Sequence, residues 1–173
     1  MAKTVDLFRH TDSDGDELTE EGVRAAVQLG RRLTDRYDLL VSSGAQRATQ
    51  TLACLLCGMA RPVEGGVVVD GGFRSEVEDR WRDVAGRASG KDLSAFQEVD
   101  PELVEKEATV LATALRGLLD RLPEGGRALV MGHSPTQEAA VLGICGRIVQ
   151  PLAKGAGVRL VAEAGAYEVS DLA

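Results

Sequence analysis

The chain has two histidines, His10 and His133, and each has neighbours suited to phosphate chemistry. Arg9 precedes His10 in LFRHT, Gly132-His133 ends the run ALVMGH, and Arg47 lies in SSGAQRATQT. Paired guanidinium groups hold phosphoryl oxygens in a fixed fork and neutralise the charge of phosphoryl transfer. Positive charge close by disfavours the imidazolium form, so an imidazole in such a pocket keeps its lone pair near neutral pH. His10 can then attack phosphorus and carry the group as phosphohistidine until water cleaves it. Arg9 and Arg47 supply the electrostatics that magnesium supplies elsewhere, so neither a metal nor a cofactor is expected.

For these residues to meet, the fold must gather them. KTVDLF reads as a strand running straight into Arg9 and His10. Thr19 caps a following helix whose first turn carries Glu20 and Glu21, with Val23, Ala26, Val27, Gly30 and Leu33 on one face. Asp38 to Val41 is a short strand, and Ser43-Gly44-Ala45-Gln46 a capping-box pattern for a helix reaching about Leu56. A third strand includes VVV, between Glu64 and Asp70. Residues 71–100 read as an irregular insert lining the substrate mouth. Asp100-Pro101 opens a helix with Val104, Ala108, Leu111, Leu115, Leu118 and Leu122 as its stripe. ALVM is a buried strand leading to His133, and Ser134-Pro135-Thr136-Gln137 a second capping pattern. VRLVAEAGAYEVS reads as a terminal hairpin turning near Gly165. Strands alternating with helices predict one α/β domain over residues 1–173, a three-layer α/β/α sandwich with a mostly parallel central sheet. In such sheets ligands sit beyond the carboxyl ends of the strands, where His10, Arg47 and His133 all fall.

The acidic run DSDGDE, residues 12–17, invites a calcium reading, and its spacing rejects it. Counting from Asp12, Asp14 and Asp16 take loop positions 3 and 5, but Glu17 falls where glycine is needed and Val23 where a bidentate glutamate is needed. The run reads as a solvated turn into the first helix. Cys54, Cys57 and Cys145 lack the positions of a redox pair or a zinc site and read as buried small apolar residues.

Four motifs, spread in order from about Thr4 to Ala140, resemble the signature of the histidine phosphatase superfamily, which includes the cofactor-dependent phosphoglycerate mutases. Arg9-His10-Thr11 stands for its Arg-His-Gly. Leu18-Thr19-Glu20-Glu21-Gly22 matches its Leu-Thr-x-x-Gly, and Ser42 to Thr51 its Ser-Ser-x-x-x-Arg-Ala-x-Gln-Thr. Gly132-His133 matches the final Gly-His. The resemblance implies His10 as the phosphorylated nucleophile and Arg9, Arg47 and His133 as the rest of the phosphate pocket, with His133 donating to phosphoryl oxygens. Many members place a proton-donating Glu after the third strand, which implies Glu76 in FRSEVEDRW, with Glu78 two residues on as the alternative. Thr11 departs from the family's Gly, and its hydroxyl either bonds phosphate or narrows the site.

The expected activity is therefore a metal-independent phosphatase acting on a phosphorylated small molecule or phosphoprotein. The alternatives are a mutase and a weakly active phosphate-binding regulatory module on the same fold. A net charge of −7 argues against nucleic acid and anionic membrane as partners. MAKTVDLFRH carries no apolar signal core and no run is long enough to span a bilayer, so a cytoplasmic location is expected. The basic residues Arg74, Arg80, Arg82, Arg87 and Lys91 either meet further substrate charge or pair with their acidic neighbours Glu76, Glu78, Asp79, Asp83 and Asp92.

Overall fold

The computed structural model describes residues 1–172. Its first strand, β1 (Lys3–Arg9), leads through a two-stranded hairpin, β2 (Ser13–Asp14) and β3 (Glu17–Leu18), into helix α1 (Glu20–Arg32). Strand β4 (Leu39–Ser42), helix α2 (Gln46–Met59) and strand β5 (Val67–Val69) follow. Next come α3 (Glu78–Arg87), α4 (Leu93–Val99) and the long α5 (Pro101–Arg121), then β6 (Arg127–Gly132) and α6 (Thr136–Cys145). The hairpin of β7 (Gly157–Glu163) and β8 (Ala166–Leu172) ends the described chain, turning at Ala164 and Gly165, both with positive φ. No helix among the described residues is long and apolar enough to cross a membrane.

Six strands form one mixed sheet in the order β5-β4-β6-β1-β7-β8. The first four run parallel, while β7 pairs antiparallel with β1 and β8 with β7. Alternation along the strands divides the core between the two faces. Val5, Leu7, Val41, Ala128 and Val130 face the side packed by α3 to α6. Phe8, Leu40, Leu129 and Met131 face the side packed by α1 and α2. The stripe read on α5 is buried throughout, from Val104 to Leu122. On α1 the buried face is Gly22, Ala26, Leu29 and Gly30, and Val23 is 40% exposed, so the expected face is rotated. Close helix contact explains the shift. A Cβ on Gly30 would stand 2.0 Å from the Leu55 carbonyl oxygen, and one on Gly58 2.1 Å from that of Val27. Helices α1 and α2 thus touch backbone to backbone, and the apolar side chains flank the contact rather than fill it.

Residues 71–100 are more ordered than their sequence suggests. A 3-10 turn (Gly71–Phe73) precedes α3 and α4, and Asp92 caps α4 by accepting from the Ala95 amide at 3.0 Å. Helix α3 buries only Trp81 and Val84, too sparse a stripe to show as a period. It is fixed by Trp81 Nε1 donating to Glu107 at 3.2 Å and by Arg80 clasping Asp100 at 2.7 and 2.8 Å. Asp100 also caps α5, as its place before Pro101 predicts. The cysteines are not the buried residues expected: Cys57 is exposed and the other two only partly covered. Cys57 adjoins Gly58, whose contact turns the neighbouring position outward.

One charged cluster lies inside the sheet. Asp6 on β1 is fully buried and stands opposite Arg159 on β7. It accepts two guanidinium hydrogen bonds from Arg159, at 2.7 and 2.8 Å, and one from the Tyr37 hydroxyl at 2.7 Å.

Candidate functional site

The strand order brings the site together. Reading across the sheet, β4, β6 and β1 are neighbours and parallel, so all three end at the same rim. The first residues past those ends are Ser43, His133 and His10. Two backbone bonds carry the pairing onward: the Ser43 amide to the Met131 carbonyl at 3.1 Å, and the His10 amide to the Gly132 carbonyl at 2.9 Å. Neighbouring strands lie about 4.8 Å apart, and the two imidazole centroids are 5.4 Å apart. Residues 123 positions apart in sequence therefore face each other because their strands are adjacent.

His10 is 6% exposed, and its Nδ1 lies 2.7 Å from the Thr11 carbonyl. A carbonyl only accepts, so Nδ1 carries the proton and Nε2 of the neutral ring keeps its lone pair. Burial pushes the His10 pKa down to about 4; the Thr11 bond opposes it, and the charges of Arg47, Arg9 and Lys154 add smaller downward effects. His133, 7% exposed, is pushed down to about 3 by burial and then by Arg47, His10 and Arg74. Its Nε2 meets the Ser43 hydroxyl at 2.8 Å. Both rings are neutral at pH 7.

The arginines are held by different means. Arg9 donates from Nη1 to the Leu152 carbonyl at 2.8 Å, fixing it against the segment that joins α6 to β7. Burial lowers the Arg9 pKa, and the Glu138 carboxylate partly restores it. Arg47, in the first turn of α2, donates to Asp16 at 2.8 Å and stands 3.7 Å from Glu78. Glu78 also takes a 2.9 Å bond from Arg74.

Several expectations need correction. Glu76 is exposed and outside the cleft, whereas Glu78, partly buried, lines it. The cause is helical phase: α3 starts at Glu78, and its first turn faces Arg47. Thr11 does not offer its hydroxyl to the pocket; that group donates to the Gly22 carbonyl at 2.8 Å, and the Thr11 amide to Thr51 at 3.2 Å. Ser43 does not cap α2, since its hydroxyl is on His133 and the N-cap is Ala45 without a side-chain bond. The cap comes from Asp16, which accepts from the amides of Gln46 and Arg47 at 3.2 and 3.3 Å. The acidic run is therefore not merely solvated: the β2–β3 hairpin aims Asp16 at α2, while Asp12 bonds Thr19 and Lys154. Ser134 does not cap α6 either; its hydroxyl donates to Glu138 at 2.5 Å. The sequence reading places Asp16 only in a solvated turn, and Glu138 and Lys154 escaped it. Only Glu138 left a trace there, as a lone acid among the apolar residues of α6.

A cleft of ≈ 180 Å³ opens beside the rim, lined among others by Arg47, Glu78, Trp81, Arg82, His133 and Ser134. His10 and Arg9 are not in its wall. The cleft wall includes His133 but not His10, and Arg47 is held there by Asp16 and Glu78. Most other basic residues of the mouth are paired: Arg80 with Asp100, Arg82 with Asp79, and Arg87 with Asp83.

Comparison with known proteins points one way. The sequence model described as "Histidine phosphatase superfamily (branch 1)" matches residues 3–147. No significant match to a curated protein sequence was found. Bacillus stearothermophilus YhfR superposes with a TM-score of 0.71 at 20% identity, over 98% of this chain and 96% of that one. A phosphoglycerate mutase from Bacillus anthracis gives 0.66 at 18%, over 99% and 92%. The protein histidine phosphatase SixA, solved with tungstate, gives 0.64 at 17%, over 96% and 94%. At these identities the structures show a shared fold.

Proposed function

From the premise that the chain belongs to the histidine phosphatase superfamily, branch 1, we propose that it hydrolyses a phosphomonoester or a phosphorylated protein through a phosphohistidine on His10. One observation carries this: His10 is held by the Thr11 carbonyl as the tautomer with Nε2 free, beside a second neutral imidazole and two guanidiniums. Nε2 attacks phosphorus, and the bond to the leaving oxygen breaks. Arg9, Arg47 and a ring N–H of His133 take the phosphoryl oxygens, and their charge and dipoles stabilise the transition state. Once the phosphoryl group has drawn the guanidiniums to itself, Glu78, the carboxyl that lines the cleft, takes a proton from solvent and passes it to the leaving oxygen. In the second half, water attacks phosphorus, its proton passes to Glu78, and the P–N bond breaks to restore neutral His10. Hydrolysis is favoured over a mutase cycle because the mouth is open, with the side chains of Arg74 and Arg82 42% and 74% exposed. A mutase must keep its intermediate from water.

The test is hydrolysis of para-nitrophenyl phosphate, with an acid-labile phosphoryl group sought on His10 in quenched samples. His10→Ala should lose activity by on the order of 10³-fold or more. Equal activity in wild type and His10→Ala would overturn the reading. Parallel assays with phosphorylated metabolites and a phosphohistidine peptide assign the substrate class.

A further inference from the structure

One buried group at this site is left over by the reaction above. Glu138, in the first turn of α6, is 2% exposed in a helix buried on nearly every side, among Thr136, Gln137, Ala139, Ala140, Val141 and Ile144. Burying a carboxylate there is costly, and an apolar residue of similar volume is commonly as stable or more so. An acid in a first turn favours the helix dipole, but that needs no burial.

Its contacts suggest another purpose. Oε1 accepts from the Ser134 hydroxyl at 2.5 Å and from the Leu152 amide at 2.8 Å. Ser134 follows His133, and the Leu152 carbonyl is the acceptor for Arg9 Nη1. One carboxylate thus ties the end of β6 to the α6–β7 segment, and that segment holds Arg9. The same segment returns at Gly155, whose amide reaches the carbonyls of Arg9 and His10 at 3.1 and 3.2 Å. Glu138 Oε2 and Arg9 Nε are both buried without a protein partner. The two charges act on each other: Glu138 raises the Arg9 pKa, and Arg9 lowers that of Glu138 against the upward push of burial.

We propose that Glu138 is the positioning residue for Arg9: it braces the Leu152 carbonyl that aims the guanidinium and supplies the buried counter-charge, without touching the phosphoryl group. The proposal rests on the phosphatase reading of this site, and its test separates the two. Binding of inorganic phosphate is measured by calorimetry for wild type, Glu138→Gln, Glu138→Met, Arg9→Met and the Arg9→Met/Glu138→Gln double variant. Gln keeps an oxygen for the Leu152 amide and removes the charge, while Met fills the volume with neither. Glu138→Gln should weaken phosphate binding about tenfold and Glu138→Met more, with the thermal midpoint of the Met variant at or above that of wild type. In the Arg9→Met background the Glu138→Gln loss should disappear, because a residue that acts through another is silent once its target is gone. A merely structural role gives an undiminished loss in that background, and overturns the proposal. Wild-type affinity in Glu138→Gln overturns it too, as does failure of both Glu138 variants to fold. The phosphatase reading survives all of these outcomes, since it stands or falls on the His10→Ala assay and on phosphate binding by wild type.

Discussion

The state of each imidazole follows from its immediate surroundings. His10 and His133 have pKa values near 4 and 3, below the ordinary 6.5 of histidine. Between those values and 6.5 the unfolded chain binds more protons than the folded one, so stability must rise with pH through that window and level off above it. The urea midpoint of wild type should therefore fall as pH drops from 6.5 towards 4, and should fall less steeply in His133→Gln. A parallel decline in the two proteins would contradict these assignments. The two acids near the mouth are separable by leaving group. Glu78→Gln should slow hydrolysis of an alkyl phosphate by about 10²-fold and of para-nitrophenyl phosphate much less, because a good leaving group needs no proton. Glu76→Gln should leave both rates unchanged; the reverse pattern would return the role to Glu76.

Among the elements, the β2–β3 hairpin has the most unexpected influence, because it brings a carboxylate to both the amides of α2 and the guanidinium of Arg47. Asp16→Asn keeps a side-chain oxygen for the amides and removes the competing charge. Phosphate should bind about three- to tenfold more tightly, the scale of a partly exposed ion pair, while the urea midpoint changes little. Unchanged affinity would mean that Asp16 yields Arg47 at no cost. The α1–α2 contact is equally specific: Gly30→Ala must force the helices apart and should cost about 1–3 kcal/mol in urea unfolding. Neither feature could be read from sequence. Periodicity found the strands ending at His10 and His133 and the whole stripe of α5, since those depend on local pattern alone. It missed the source of the α2 cap because Asp16 lies thirty residues before Gln46. It rotated α1 because a backbone contact made by glycine leaves no apolar signature. It could not tell that Glu78 rather than Glu76 enters the cleft wall, because the phase of α3 depends on tertiary contacts such as Trp81 with Glu107.

On the scale of the whole molecule, the family match ends at residue 147, yet the sheet does not. Strand β7 covers the edge of β1, and the carbonyls of Leu152 and Ala156 take bonds from Arg9. A chain ending at Arg147 should consequently lose cooperative unfolding by circular dichroism; a sharp transition there would show that the last strands are dispensable. The net charge of −7 coexists with a rim where Arg9, Arg47, Arg74 and Lys154 gather, so the local charge there is opposite to the overall sign. The buried Asp6–Arg159 pair has a bearing on that rim although it lies several residues from it. Sliding β1 by one position would turn Asp6 towards the apolar layer under α5 and swing Val5 or Leu7 onto the guanidinium. Only one alignment of β1 against β7 is thus tolerated, and it also fixes the height at which His10 emerges. The ion pair works as a detent in the middle of the strand, indexing the His10 ring at its end, which it never contacts.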